Sequence, residues 1–186
     1  MKKSLIVLIA VVLIGVSIIT VNTYNSSNKG KNNTKQNAST KPTQINPNVI
    51  KTKAIDFKLK DLDGKELSLS DLKGKNVFLN FWATWCPPCK AEMSEIERLY
   101  QETKNSDLVI VAVEIGEPLS TVKSFIDSKK YNFKILLDSD QSVASKYNIA
   151  SIPTSYFIDV DGNIISKNIG GMNIDKMKTY IKSLDK

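Results

Sequence analysis

The chain has 186 residues, a formal net charge of +7, two cysteines and no histidine. That is length for one packed domain with accessory segments, and too few Cys and His for a four-ligand zinc site within one chain. Eight lysines and no acid fall in residues 1–53, leaving 18 basic against 19 acidic residues beyond them, so nothing in the remaining charge asks for nucleic acid as a partner.

Lys2 and Lys3 precede an uncharged apolar run, 5–21. As a helix these 17 residues span about 26 Å, close to the roughly 30 Å of a bilayer core. The run is longer than the apolar region of a signal peptide and lacks an Ala-x-Ala-like cleavage site. Residues 1–21 are therefore expected to form an uncleaved signal anchor rather than a cleaved leader. The flanking lysines keep the N-terminus cytoplasmic and put everything after it outside. Residues 22–50 are dominated by Asn, Ser, Thr, Lys and Gln. Such a segment cannot bury enough apolar surface to offset its ordering entropy, and it reads as a flexible linker with a reach on the order of 30 Å.

From 51 to 186 strands and helices alternate. Strands at 55–59 and 66–69 flank the turn Asp61-Leu62-Asp63-Gly64 as a hairpin, and a short helical turn at 71–73 precedes Gly74. The apolar run 77–82 has the pattern of a strand covered on both faces. A helix follows at 87–103, its prolines suited to the first turn. Then come a strand at 108–115, a helix at 119–129, a strand at 135–137 and a helix at 141–147. A second hairpin, 155–158 with 164–168, encloses Asp159-Val160-Asp161-Gly162-Asn163. The closing helix, 174–184, carries apolar residues at 174, 177, 181 and 184, one stripe. The expected fold class is α/β, a mixed central sheet with helices on both faces.

Chemistry concentrates in Trp85-Cys86-Pro87-Pro88-Cys89-Lys90, where the only two cysteines stand three apart. A metal site here would need another subunit, and c-type haem attachment needs His where Lys90 stands. At i, i+3 on a helix, Cβ atoms lie roughly 5–6 Å apart, and a disulfide wants about 3.5–4.5 Å, so a modest distortion of the first turn closes the bond. At a helix N-terminus the unpaired N–H groups and the macrodipole favour the Cys86 thiolate, lowering a thiol pKa from about 8.5 to about 7 or below. Cys86 is then the attacker and Cys89 the buried second thiol. An inert structural disulfide is the other reading, weakened by how little chain entropy a three-residue loop removes.

Trp-Ala-Thr-Trp-Cys-Pro-Pro-Cys after a buried strand, Ile152-Pro153-Thr154 some sixty residues later, and a closing hairpin and helix together resemble a thioredoxin fold. The N-terminal hairpin, the strand and helix inserted between about 115 and 140, and the anchor are similar to the TlpA/ResA-like family of membrane-anchored extracytoplasmic thiol-disulfide oxidoreductases. The peroxiredoxin branch fits less well, since its site resembles Thr-x-x-Cys with a downstream arginine and the only arginine here is Arg98.

The resemblance implies a redox-active Cys86–Cys89 pair with no further cofactor. It implies a cis Pro153 facing the disulfide and Ile152 pairing through its backbone with an extended substrate. Trp85 and Trp82 are implied beside the disulfide, supporting the loop and screening it from water, and the Pro87-Pro88 pair is implied to tune the potential. Cys86, Cys89 and Glu92 are the expected catalytic residues, with Trp85, Pro87, Ile152 and Pro153 on the substrate side. Glu92 shares a helix face with Cys89 and the apolar row Met93, Ile96 and Tyr100, where burial would raise its pKa and suit it to proton exchange. Asn80 stands where typical thioredoxins carry a buried aspartate, which leaves proton transfer to Glu92 or water. The family further implies reduction of protein disulfides, such as those of apocytochrome c or envelope proteins, by a monomer recharged through a membrane carrier of the CcdA/DsbD type. A disulfide-forming oxidase and a non-enzymatic polypeptide-binding module are the alternatives.

Overall fold

The computed structural model describes residues 52–184; the expected anchor and linker, 1–50, lie outside the described residues. Eight strands form one mixed sheet: β1 (Thr52–Lys53), β2 (Lys58–Asp61), β3 (Glu66–Ser68), β4 (Asn76–Trp82), β5 (Leu108–Ile115), β6 (Lys134–Asp138), β7 (Thr154–Ile158) and β8 (Asn163–Ile169). Four helices accompany them: α1 (Pro87–Thr103), α2 (Leu119–Lys129), α3 (Ser142–Lys146) and α4 (Ile174–Ile181). A 3₁₀ turn, Leu69–Leu72, stands where a short helical turn was expected before Gly74.

The spatial order is β1-β8-β7-β4-β5-β6-β2-β3. β4 runs parallel to β5 and antiparallel to β7, which accounts for its near-continuous apolar sequence: both edges are hydrogen-bonded and both faces covered. The first hairpin forms with Leu59 opposite Leu67; its first strand runs two to three residues later than expected, whereas the second starts at Glu66 as expected and ends one residue early. The Asp61 carboxylate accepts the Asp63 and Lys65 N–H groups and so shapes the turn. The hairpin joins the sheet through β2 against β6, at the edge remote from β1.

Helices cover both faces, unequally. Phe78 and Trp82 of β4 pack with Met93, Ile96 and Leu99 of α1, Val122 and Ile126 of α2, and Met177 of α4. Leu79 and Phe81 face the other way, into a cluster with Val143 and Ala144 of α3 and with Tyr147. Phe157 of β7 stacks between Phe78 (4.8 Å) and Tyr180 (4.7 Å), tying the central strand to the region of α4. The described part of the closing helix stops at Ile181, with Leu184 still buried just beyond it, so the stripe is intact although its last turn is not helical.

Candidate active site

β4 delivers its C-terminal end into the loop Ala83–Trp85, and α1 starts immediately after Cys86. Cys86 is the N-cap: its backbone is extended (φ −87°, ψ 108°), and its Sγ accepts the Cys89 N–H at 3.2 Å, the part Ser or Asp usually plays. Pro87 and Pro88 occupy the first two helical positions, where missing N–H groups cost nothing. They also leave Cys89 as the first residue of the helix able to donate to the sulfur. The two sulfurs are bonded at 2.07 Å, with Cα atoms 5.3 Å apart. Cys86 is 3 % exposed and Cys89 fully buried, the order expected of attacker and second thiol, with a narrow margin in this oxidised form.

Across the disulfide lies the loop before β7. The Ile152–Pro153 peptide is cis, and the Ile152 carbonyl oxygen sits 3.8 Å from Cys86 Sγ. The Pro153 carbonyl is occupied, accepting the Gly170 N–H at 2.8 Å. Pro153 is buried, while Pro87 and Pro88 are exposed on the near side. Trp85 stands 66 % exposed at the edge of a groove lined by Ile115, Ala144, Ile149, Ala150 and Ile152. Trp82 is a core residue, its ring 5.5 Å from that of Phe125.

Glu92 lies one turn beyond Cys89 and is only 2 % exposed. Its carboxylate is held from two sides: Asn80 Nδ2 donates to Oε2 at 3.1 Å, and the Met172 N–H donates to Oε1 at 2.9 Å. Asn80 Nδ2 also donates to Ser155 Oγ at 2.9 Å, linking β4, β7 and α1 through one buried polar chain. Burial pushes the Glu92 carboxyl up to about 7, against the pull of the Met172 and Asn80 hydrogen bonds and the Lys176 charge. At neutral pH such a group holds or releases a proton with little cost, one helical turn from the inner cysteine.

Sequence reasoning singled out Cys86, Cys89, Glu92, Ile152 and Pro153, and the fold brings them together around one disulfide. It missed the Met172 N–H, because a backbone donor eighty residues from its acceptor has no residue-type signature; the signal was Gly170-Gly171. Gly170 takes φ +90°, a left-handed conformation that favours glycine, and turns the chain so that Met172 reaches Glu92. Ile169, paired with Thr154 at the end of β8 and 65 % exposed, was also missed.

A buried disulfide closed at a helix N-terminus opposite a cis-proline loop, on a mixed sheet of this order, defines a thioredoxin-like dithiol–disulfide protein. Residues 50–167 match the AhpC/TSA family. The thiol-disulfide oxidoreductase ResA of Bacillus thuringiensis is 38 % identical over 124 residues, 67 % of this chain and 72 % of that protein. Among solved structures, StoA from Bacillus subtilis aligns with a TM-score of 0.61 at 31 % identity, covering 68 % of this chain and 96 % of that one. The exposed lipoprotein thioredoxin of Streptococcus pneumoniae aligns with a TM-score of 0.63 at 31 % identity, covering 70 % and 100 %. The chain belongs to the AhpC/TSA family and, within it, is a thiol-disulfide oxidoreductase of the ResA kind.

Proposed function

We propose that this chain reduces disulfides of extended polypeptides, of the apocytochrome c or envelope-protein type, on the outer side of the cytoplasmic membrane. The observation that carries the reading is the position of Cys86: an N-cap sulfur beside the Ile152 carbonyl, at the end of an open apolar groove. An incoming strand pairing with the Ile152 backbone would present its disulfide to that sulfur, while the groove beside Trp85 takes its side chains.

In the reduced enzyme the Cys86 thiolate attacks one substrate sulfur, forming a mixed disulfide and releasing the other substrate sulfur as a thiolate, which takes up a proton. Cys89 gives its proton to Glu92 and attacks Cys86 Sγ. The second substrate sulfur leaves, and the Cys86–Cys89 disulfide remains. Two electrons pass to the substrate and must be restored. A membrane thiol-disulfide carrier of the CcdA/DsbD type is the proposed donor, and a monomer the proposed working form.

The envelope location is supported by the apolar run at 5–21 and by the likeness to an exposed lipoprotein. On this reading 1–21 is the anchor, 22–50 the tether and 51–186 the catalytic domain. Trapping tests the proposal: with Cys89→Ala the mixed disulfide on Cys86 stalls, and the partner recovered from envelope fractions should be a protein whose thiols are normally needed reduced. Insulin disulfide reduction that survives Cys86→Ala would overturn the enzymatic reading. A reduction potential near about −120 mV, rather than near about −270 mV, would favour an oxidase instead.

A further inference from the structure

Two further carboxyl groups, Glu114 and Glu117, connect β5 to the loop that precedes Cys86. Glu114 is the seventh residue of β5, a charged side chain inside an otherwise apolar strand, and it is fully buried beside Trp82 of β4 and Leu137 of β6. Its Oε2 accepts the Glu117 N–H at 3.3 Å, and its Oε1 has no hydrogen-bond partner among the described residues. Glu117 in turn grips the loop two residues before Cys86: its Oε2 accepts the Thr84 N–H and its Oε1 the Thr84 hydroxyl, both at 2.6 Å. Hydrogen bonds donated to a carboxyl group favour its anion over its neutral acid.

We propose that Glu114 and Glu117 form a positioning pair that carries one proton and one negative charge between its two carboxyl groups. Glu117, ionised, fixes Thr84 and hence the Trp85-Cys86 approach to α1, while Glu114 stays neutral behind it and keeps the buried pair at a single negative charge. The inference rests on the chain being a thiol-disulfide oxidoreductase and is independent of which protein it reduces.

Two adjacent carboxylates in a low-dielectric site cannot both ionise cheaply, so the more buried one keeps its proton. Burial acts on Glu114 most strongly, followed by the facing Glu117 carboxyl, and together they push it up to about 8; Asp138 at the end of β6 is the other ionisable group facing it and acts in the same direction. When Glu114 does ionise, repulsion within the pair is relieved most readily by Glu117 letting go of Thr84. The loop ahead of Cys86 then loosens. The Glu114 proton exchanges with solvent and plays no part in the sulfur chemistry, which separates this device from Glu92.

The test uses the oxidised full-length chain, in which neither cysteine titrates. Carboxyl ¹³C shifts of glutamate-labelled protein should show two late-titrating groups, one lost in Glu92→Gln and a higher one lost in Glu114→Gln. Exchange of the Thr84 amide should accelerate by roughly tenfold more than the base-catalysed trend between pH 7 and pH 9 in the wild type, and follow the plain trend in Glu114→Gln, which keeps an oxygen acceptor for the Glu117 N–H but cannot ionise. A single late-titrating group, or identical Thr84 exchange profiles in the two proteins, overturns the proposal. Insulin reduction measured alongside separates the two readings: its failure in the wild type speaks against protein-disulfide reduction and leaves the carboxyl titration unchanged.

Discussion

Asn80 on the central strand donates a hydrogen bond to the carboxylate of Glu92 on the first helix, 3.1 Å away and out of reach of solvent. Where a thioredoxin carries an ionisable aspartate under its disulfide, this chain puts a fixed amide, and the ionisable group is moved one helical turn past the inner cysteine. On the proposed mechanism, proton transfer then falls to Glu92 or to water.

The first prediction concerns stability against pH. The folded-state pKa of Glu92 is raised from 4.5 to about 7, so the folded protein binds the proton more tightly than the unfolded chain does. The favourable contribution is complete below the unfolded value and is lost as pH rises through the folded one. Glu92→Gln should flatten the stability profile between pH 4.5 and 7 and stabilise the oxidised protein at pH 8 by on the order of 2 kcal/mol, measured by urea unfolding. The same variant should slow disulfide exchange at neutral pH by roughly tenfold or more and shift the thiol titration. Unchanged thiol pKa values and rates would remove Glu92 from the chemistry.

Replacing the fixed amide supplies the second. In Asn80→Asp two buried carboxyl groups face each other, and they titrate as a coupled pair in two steps. The upper step should lie above the single Glu92 value, and the oxidised protein should lose stability at pH 8 relative to wild type. Carboxyl NMR and urea unfolding read the two effects separately; one unshifted step would show that Asn80 and Glu92 do not communicate.

Two exposed side chains, Trp85 lining the groove and Ile169 opposite Thr154, provide a third. Trp85 and Ile169 are largely exposed, so truncating either to alanine should change folding stability by no more than about 0.5 kcal/mol. Reduction of a protein disulfide should lose roughly tenfold in kcat/KM, chiefly through KM, because exposed aromatic and aliphatic side chains that flank a binding site act as anchors. An effect confined to kcat would mean that these residues act on the sulfurs instead.

Core packing supplies the fourth. Phe157 is fully buried between Phe78 and Tyr180. Phe157→Ala should cost about 3–5 kcal/mol in urea unfolding, with the larger part arising from the cavity that two stacked neighbours cannot fill. A loss below about 1 kcal/mol would show that α4 and β4 can collapse onto each other without it.

Element types and the redox pair were legible from residue order alone because they rest on local rules. The period of apolar residues marked strands and helices, Pro87 and Pro88 marked a helix start, and an i, i+3 cysteine pair in a chain without histidine left disulfide chemistry as its main use. The bounds of α1, α2 and β5 agree with the periodicity to the residue. Glu114 was visible as a charge inside an apolar strand, yet nothing local told whether it would be exposed, paired or protonated.

What the tertiary structure alone decided are the relationships between residues far apart in the chain. That the first hairpin docks on β6, that Met172 turns its N–H onto Glu92, and that Glu117 holds Thr84 depend on strand order and on backbone donors, which every residue type supplies alike. Composition and spacing carry the identity of the reacting atoms; only the assembled sheet and its helices set how deeply each carboxyl group is buried, and burial is what moves a proton's affinity into the range where these groups can serve.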